Sequence, residues 1–323
     1  ASWEGCNPDW PALLVYIFKY LYWLLLPPRV PTLFIISGYF FFRSQKDRDI
    51  NFFVDKYKRR VHSLLIPYLV WNAVAIMLMY FRYDVIADNG YSFTDYMSGF
   101  WSSTINDNGM PANNPLWFMR NLMVVTLMAP LIYYFVKVKY GFLAIIFIAA
   151  CYVTNINIPV CGISFETILF FSIGAYLAIH RVDITTIPRV LGIIMLLLYI
   201  PVQLFMNALS ADSNYLYCFD LLTSFVKITA VFYLVSLLFK KKILKPTPRL
   251  SKISFLLYAL HGIVINPVIM LLYKLSGCTD KPLALFRIYV TAPIIMVAVT
   301  QFLYATMTKF TPGIAKAVTG NRG

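Results

Sequence analysis

The sequence predicts a polytopic α-helical membrane bundle, and three observations carry that prediction. Hydrophobic residues make up 60% of the 323-residue chain and charged residues only 13%, with a mean hydropathy of +0.69. A water-soluble domain usually carries about 25% charged residues, so the surface here is not built for water. Apolar stretches of roughly 18–24 residues recur along the chain, the length that takes a helix through about 30 Å of hydrocarbon. These stretches are continuous and lack the period-two alternation of a barrel strand. Lipid leaves the backbone only helix or closed barrel, so the spans are helices.

The elements follow in order. Residues 11–26 read as a separate helix, interfacial or spanning, because Pro27, Pro28 and Pro31 around Arg29 interrupt any continuous helix there. Residues 30–43 form the inner part of the next span. Its run Thr32–Phe42 (TLFIISGYFFF) places Ser37 and Gly38 where a simple anchor would be wholly apolar. Hydropathy then gives spans at about 64–81, 116–136, 141–156, 165–179, 190–206, 216–239, 253–273 and 285–307. The whole of 1–323 reads as one integral-membrane domain with about nine spans and no internal repeat.

Charge sorts the connecting segments by side. Arg43, Lys46, Arg48, Lys56, Lys58, Arg59 and Arg60 fill a basic loop at 43–63, and Lys137 and Lys139 follow in the next loop on that side. Arg181 and Arg189, then Lys240, Lys241, Lys242, Lys245, Arg249 and Lys252, then the C-terminal Lys309, Lys316 and Arg322 complete the set. Alternate loops, including 83–114, carry Asp84, Asp88, Asp95, Asp107, Asp212 and Asp280. Positive-inside bias makes the basic side and the C-terminus cytoplasmic and the 83–114 loop extracytoplasmic. With span 30–43 running outside to inside, residues 1–29 fall outside. The expectation is an additional helix upstream of Ala1, giving a probable ten spans.

The formal net charge of +14 is dispersed over these short loops, which accounts for it without nucleic acid as a partner. Five cysteines show no CxxC or metal-ligand spacing, so no metal site is expected. There is no GxGxxG, P-loop or GxSxG motif.

Ionisable groups inside spans are the default functional candidates. Arg120 closes the run Pro115-Leu-Trp117-Phe-Met-Arg120, Asp220 and Lys227 share one helix face two turns apart, and Glu166 and Arg287 sit near outer helix ends. Their bland alternative is pairing or snorkelling. His261, with Asn266 nearby, falls in an apolar segment, where an imidazole is a general-base candidate. His62 and His180 lie at helix ends, where an imidazole is solvated. On the basic side, Lys58, Arg59 and Arg60 form a candidate phosphate clamp. Topology setting and anionic lipid are the alternative for those charges.

Several segments together resemble the type-three acyltransferase family of bacterial integral-membrane proteins. They are Leu33-Phe-Ile-Ile-Ser37-Gly38-Tyr39, Lys58-Arg59-Arg60 with Leu65-Ile-Pro67-Tyr68, Pro115-Leu-Trp117-Phe-Met-Arg120, Phe170-Phe-Ser-Ile-Gly174-Ala-Tyr and Ser254-Phe-Leu-Leu-Tyr258-Ala-Leu-His261. The resemblance implies ten spans, both ends cytoplasmic, and O-acylation of sugars or polysaccharides. It places the family's catalytic histidine on a first helix, upstream of residue 1. Members often carry Trp-Ser-Leu-x-x-Glu; here Phe118 and Met119 follow Trp117 and Leu122 holds the glutamate position. That departure removes any basis for transferring the carboxylate's role.

The expected activity is therefore transfer of an acetyl or other acyl group from cytoplasmic acetyl-CoA or another acyl-CoA to a hydroxyl of a surface glycan or exopolysaccharide precursor. The expected place is the bacterial cytoplasmic (inner) membrane. Arg59, Arg60 and Lys58 would bind donor phosphates, and Ser37 and Gly38 would leave room for a narrow acyl path. Arg120, Trp117, Lys227, Asp220 and Glu166 would line the acceptor cavity with His261. The acyl-CoA is a co-substrate, with no tightly bound cofactor expected; membrane lipid and a glycan or lipid-linked sugar are the other partners. The rival reading is a transporter or flippase for a lipid-linked glycan, although the paired broken helices and inverted repeats of transporters are not evident.

Overall fold

A computed structural model describes residues 29–43, 49–86, 89–105, 109–156, 158, 162–208, 215–277 and 282–320. The expected helix at 11–26 lies outside the described residues, as do Lys46, Arg48, Asp88, Asp107, Asp212, Asp280 and Arg322. Among the described residues there is no strand.

The first described helix, α1, is Arg29–Phe42. Helix α2, Ile50–Arg60, starts where the Asp49 carboxylate accepts the Phe52 N–H at 2.9 Å, an N-cap that satisfies an otherwise orphan donor. Much of the basic stretch expected as loop is therefore helix. Ile50, Phe52, Phe53 and Val54 precede the cations, and Phe52 and Phe53 are buried.

A π turn at Val61–Leu65 leads into α3, Ile66–Tyr80. There the Ile66 N–H reaches back five residues to the Val61 carbonyl. Pro67 follows, and an α-helical turn would drive its ring into the Ser63 carbonyl, so the wider turn relieves that clash. A second π turn covers Phe81–Ile86.

Helix α4, Phe93–Ser98, is closed by a capping box in which Ser92 and Asp95 satisfy each other's backbone N–H. A 3₁₀ turn at Asn114–Leu116 opens α5, Trp117–Leu127. Helix α6, Ala129–Val136, departs from α5 by 59°. Pro130 explains the bend, since it has no N–H to donate and its ring opposes the carbonyl four residues back. Then come α7, Phe142–Val153, α8, Phe165–Ile179, and α9, Arg189–Ala208. The last four are α10, Leu216–Lys240, α11, Pro248–Leu275, α12, Pro282–Phe310, and α13, Pro312–Thr319.

Among the described residues, five helical segments are long and apolar enough to cross a membrane: Ile50–Ile86, Arg189–Met206, Leu216–Lys240, Leu250–Leu275 and Val290–Phe310. The bent α5–α6 pair makes a sixth if counted as one span, and Val30–Phe42, Phe142–Val153 and Phe165–Ile179 are shorter apolar helices. At 1.5 Å per residue, the 12 residues of α7 cover about 18 Å, less than the hydrocarbon thickness. Every apolar stretch read from 30 onward is thus helical, though not every one is a full-length span. The chain is a multi-pass helical membrane protein.

The described residues fall into two compact units, 54–123 with 247–320, and 29–53 with 124–246. In the second unit α1 packs along α8. A Cβ at Gly38 would stand 2.2 Å from the Phe171 carbonyl oxygen, and one at Gly174 would stand 2.0 Å from that of Ile35. The two glycines therefore let two backbones touch, the usual basis of close helix pairing in lipid. Phe41, Phe42, Phe52, Phe53, Phe171 and Tyr133 close the end of that pair as one ring cluster.

In the first unit α11 packs along α12, and the short α13 docks on α3. The Trp71 indole N–H donates to the Val318 carbonyl at 3.0 Å. Gly320, at φ +66°, ends α13 beside the Ser63 carbonyl.

Candidate functional site

The first unit holds most of the candidate chemistry. Arg120, on the first turn of α5, is buried. Its Nη1 donates to the carbonyls of Trp101 and Gly109, the latter at 2.9 Å, and its Nε donates to Asn121 Oδ1 at 3.2 Å. The guanidinium carbon lies 5.8 Å from the centre of the Trp101 ring. The cation thus ties Trp101 and Gly109 to the head of α5, a use of Arg that needs its several fixed donors. Trp117, one turn earlier, is half-buried.

His261 is half-buried on α11. Its Nδ1 lies 2.6 Å from the Tyr258 carbonyl oxygen, which can only accept. Nδ1 therefore carries the proton, and Nε2 of the neutral ring keeps its lone pair. The Tyr258 hydroxyl donates to the Pro115 carbonyl, so the turn bearing His261 is tied to the start of the Pro115–Arg120 run. Asn113, two residues before Pro115, adds a second tie by donating its Nδ2 to the Ala259 carbonyl at 3.0 Å.

Asn72, fully buried on α3, accepts the Asn113 backbone N–H at 3.1 Å and donates to the Tyr68 carbonyl at 3.0 Å. The Tyr68 hydroxyl in turn donates to the Phe100 carbonyl at 2.6 Å. Lys58 and Arg59 are exposed on the last turn of α2, and Arg60 is half-buried beside them.

The second unit holds a separate polar cluster. The Tyr152 hydroxyl donates to Asp220 Oδ2 at 2.6 Å, with Tyr217 packed edge-on to Tyr152 at 5.8 Å and Glu166 within electrostatic range of Asp220. Lys227, two turns along α10, donates to Gln203 Oε1 on α9, with its Nζ 5.9 Å from the centre of the Tyr199 ring. Nearby apolar side chains from α6, α7 and α8 line a cleft of about 270 Å³ whose single polar lining residue is Ser172. That lining suits hydrocarbon, not a sugar. Gly38 is buried, its missing side chain replaced by the α8 backbone, and Ser37 beside it is half-buried.

Sequence reading put Arg120, Lys227 and His261 in one cavity. Arg120 and His261 belong to the first unit and Lys227 to the second. Glu166, Asp220 and Lys227 are associated within the second unit, whereas Arg287 and Asn266 are exposed. His180 places a ring nitrogen 3.0 Å from the Val136 carbonyl at a helix end, a structural role.

Four polar partners escaped the sequence reading, Asn72, Asn113, Tyr152 and Gln203, and Tyr258 was named only as part of a segment carrying the resemblance. Asn72 carried a signal, an amide in the middle of an apolar span. Asn113 carried none, being one of several small polar residues in the loop.

The chain is 26% identical over 343 residues to the succinoglycan biosynthesis protein ExoH of Rhizobium meliloti (strain 1021), an alignment covering 98% of this chain and 86% of that protein. No solved structure matches. The family model described as an acyltransferase domain matches residues 7–308. That match reaches into both units and ends two residues short of the last span's end, and it agrees with the resemblance carried by the five sequence segments. The chain belongs to the type-three acyltransferase family.

Proposed function

We propose that the protein moves an acyl group, acetyl in the simplest case, from a cytoplasmic acyl-CoA to a hydroxyl of a surface glycan or exopolysaccharide precursor. Acyltransferase family membership supports the reaction class, and a relative named for succinoglycan biosynthesis supports a glycan acceptor. The observation that carries the mechanism is the His261 ring. The resemblance places the family's own catalytic histidine on another helix; the candidate base among the described residues is His261, whose Nδ1 is committed to the Tyr258 carbonyl and whose Nε2 can serve an acceptor alcohol too weakly acidic to attack a thioester unaided.

In this reading Nε2 takes the hydroxyl proton as the oxygen bonds to the thioester carbon. Collapse of the tetrahedral adduct breaks the C–S bond, and the thiolate leaves with the proton returned by the imidazolium. Arg59 and Arg60, helped by Lys58, hold donor phosphates at the cytoplasmic face. Arg120 and Trp117 shape the acceptor side. The protein sits in the cytoplasmic membrane with its C-terminus inside.

Membranes supplied with labelled acetyl-CoA test this directly. Label should pass to glycan, and His261→Gln should lower the rate by roughly 10²–10⁴-fold. Arg60→Ala should raise the donor KM by about tenfold or more, the loss of a charge-assisted hydrogen bond, with membrane abundance preserved. Transfer at the wild-type rate by His261→Gln would remove the base, and an unchanged donor KM in Arg60→Ala would remove the phosphate clamp.

A further inference from the structure

We infer that Asn113 is a positioning residue of the transfer reaction, a latch that sets the helical turn bearing His261 against the head of α5. The inference rests on the role proposed above for His261.

Asn113 is 2% exposed and Asn72 is 0% exposed, so neither amide is there for solvent. Both orientations are fixed by their partners. Asn113 Nδ2 faces the Ala259 carbonyl, and Asn72 Nδ2 faces the Tyr68 carbonyl; carbonyls only accept, so each must meet the amino group. Asn72 Oδ1 then meets the Asn113 backbone N–H, which only donates. No amide flip preserves these bonds.

The latch needs close approach, and Gly262 supplies it. A Cβ at 262 would stand 2.5 Å from Asn113 Oδ1 and 2.5 Å from Pro115 Cδ. Among the described residues that oxygen meets no hydrogen-bond donor, which makes Asn113 an expensive residue to bury for packing alone. Tyr258, Ala259 and Gly262 thus each touch the 113–115 segment, and they bracket His261 on the same turn. Five residues beyond Pro115 the chain reaches Arg120. A shift of the latch therefore moves the imidazole relative to Trp117 and Arg120, and displacements of about 1 Å are enough to cost a large factor in rate.

The test uses the full chain in native membranes, with rates normalised to the amount of folded protein. Asn113→Ala should lower kcat by roughly ten- to a hundredfold, leave the donor KM unchanged, and displace the limb of the pH–rate profile that His261→Gln abolishes. Asn113→Asp should behave like Asn113→Ala, since a carboxylate cannot donate to Ala259. Asn113→Ser keeps a small donor and is the variant to use if the others do not accumulate; it should fall between them and wild type.

Hydrogen exchange at residues 259–263 supplies a readout independent of activity, and it should speed up in Asn113→Ala. Unchanged kcat per folded molecule, with an unmoved pH–rate profile and unchanged exchange, would overturn the latch. Full activity in His261→Gln would overturn the base instead, whatever the exchange result.

Discussion

Gly38 and Gly174 show how much depends on a single missing side chain. Each occupies the place where the other helix's backbone comes closest, with backbone oxygens 2.2 Å and 2.0 Å from the Cβ that any other residue would bring. A backbone carbonyl cannot rotate aside as a side chain can, so Gly174→Ala must push α8 away from α1. We expect that variant to lose about 1–3 kcal/mol or more of stability, seen as lower membrane abundance and earlier unfolding in detergent. Gly192→Ala offers the comparison, since its nearest neighbour is the Tyr233 side chain, and it should be the milder of the two. If Gly174→Ala is as stable as wild type, the close crossing of α1 and α8 is wrong. Sequence alone reveals that Gly38 leaves a space but not what fills it, which is why the position was read as room for an acyl path. Asn113 and Asn72 differ in the same way. An amide inside an apolar span is conspicuous, whereas a loop amide that reaches Ala259, 146 positions away, is visible only once the fold brings the two together.

At the scale of elements, the hydropathy reading located the long apolar helices but missed α2, α4 and α13, and it missed the breaks within spans. Span 116–136 is two helices because Pro130 sits within it, and the basic loop is largely helical because four apolar residues at 50–54 flank Asn51 ahead of the charges. The short α4 is the element whose formation depends most on its cap. The Ser92 hydroxyl, then the Ser92 backbone N–H and the Thr104 hydroxyl, hold the Asp95 carboxyl below the usual carboxylate range. A depressed folded-state value means that the cap's contribution is complete above the unfolded value of about 3.9. It is lost as pH falls through the lower folded value. Acidification below about pH 4 should therefore release the Asp95 and Ser92 amides to faster hydrogen exchange. Asp95→Asn should show fast exchange at Ser92 at every pH. An acid transition that persists in Asp95→Asn would assign it to another group. Because Asp95 is fully exposed, the effect stays local to α4.

Across the whole molecule, charge sidedness is the property the sequence expressed most clearly, because positive-inside bias is read from loops without any tertiary knowledge. Packing inside each unit bears on the same assignment. In the second unit the ends marked basic come together. Asp183, whose carboxyl is held low by the Thr185 backbone N–H and hydroxyl, also feels Arg43; His180 meets the Val136 carbonyl next to Lys137; and Ser236 donates to the Thr185 carbonyl at 3.0 Å. The acidic ends gather likewise, Tyr152 on Asp220 with Glu166 near. In the first unit Gly320 lies against Ser63, three residues past Arg60, so the end of α13 shares a side with the proposed phosphate clamp. These contacts join residues tens of positions apart, which is why the polar clusters were less legible than the sides they occupy. The sidedness itself can be measured. With the five native cysteines replaced, Ile86→Cys, at a position 80% exposed, should react with a membrane-impermeant maleimide on intact cells. Lys241→Cys, also exposed, should react only after permeabilisation. The opposite pattern would put Arg59, Arg60 and α13 outside, away from any cytoplasmic acyl-CoA, and would leave the basic helix as a lipid-headgroup contact rather than a donor site.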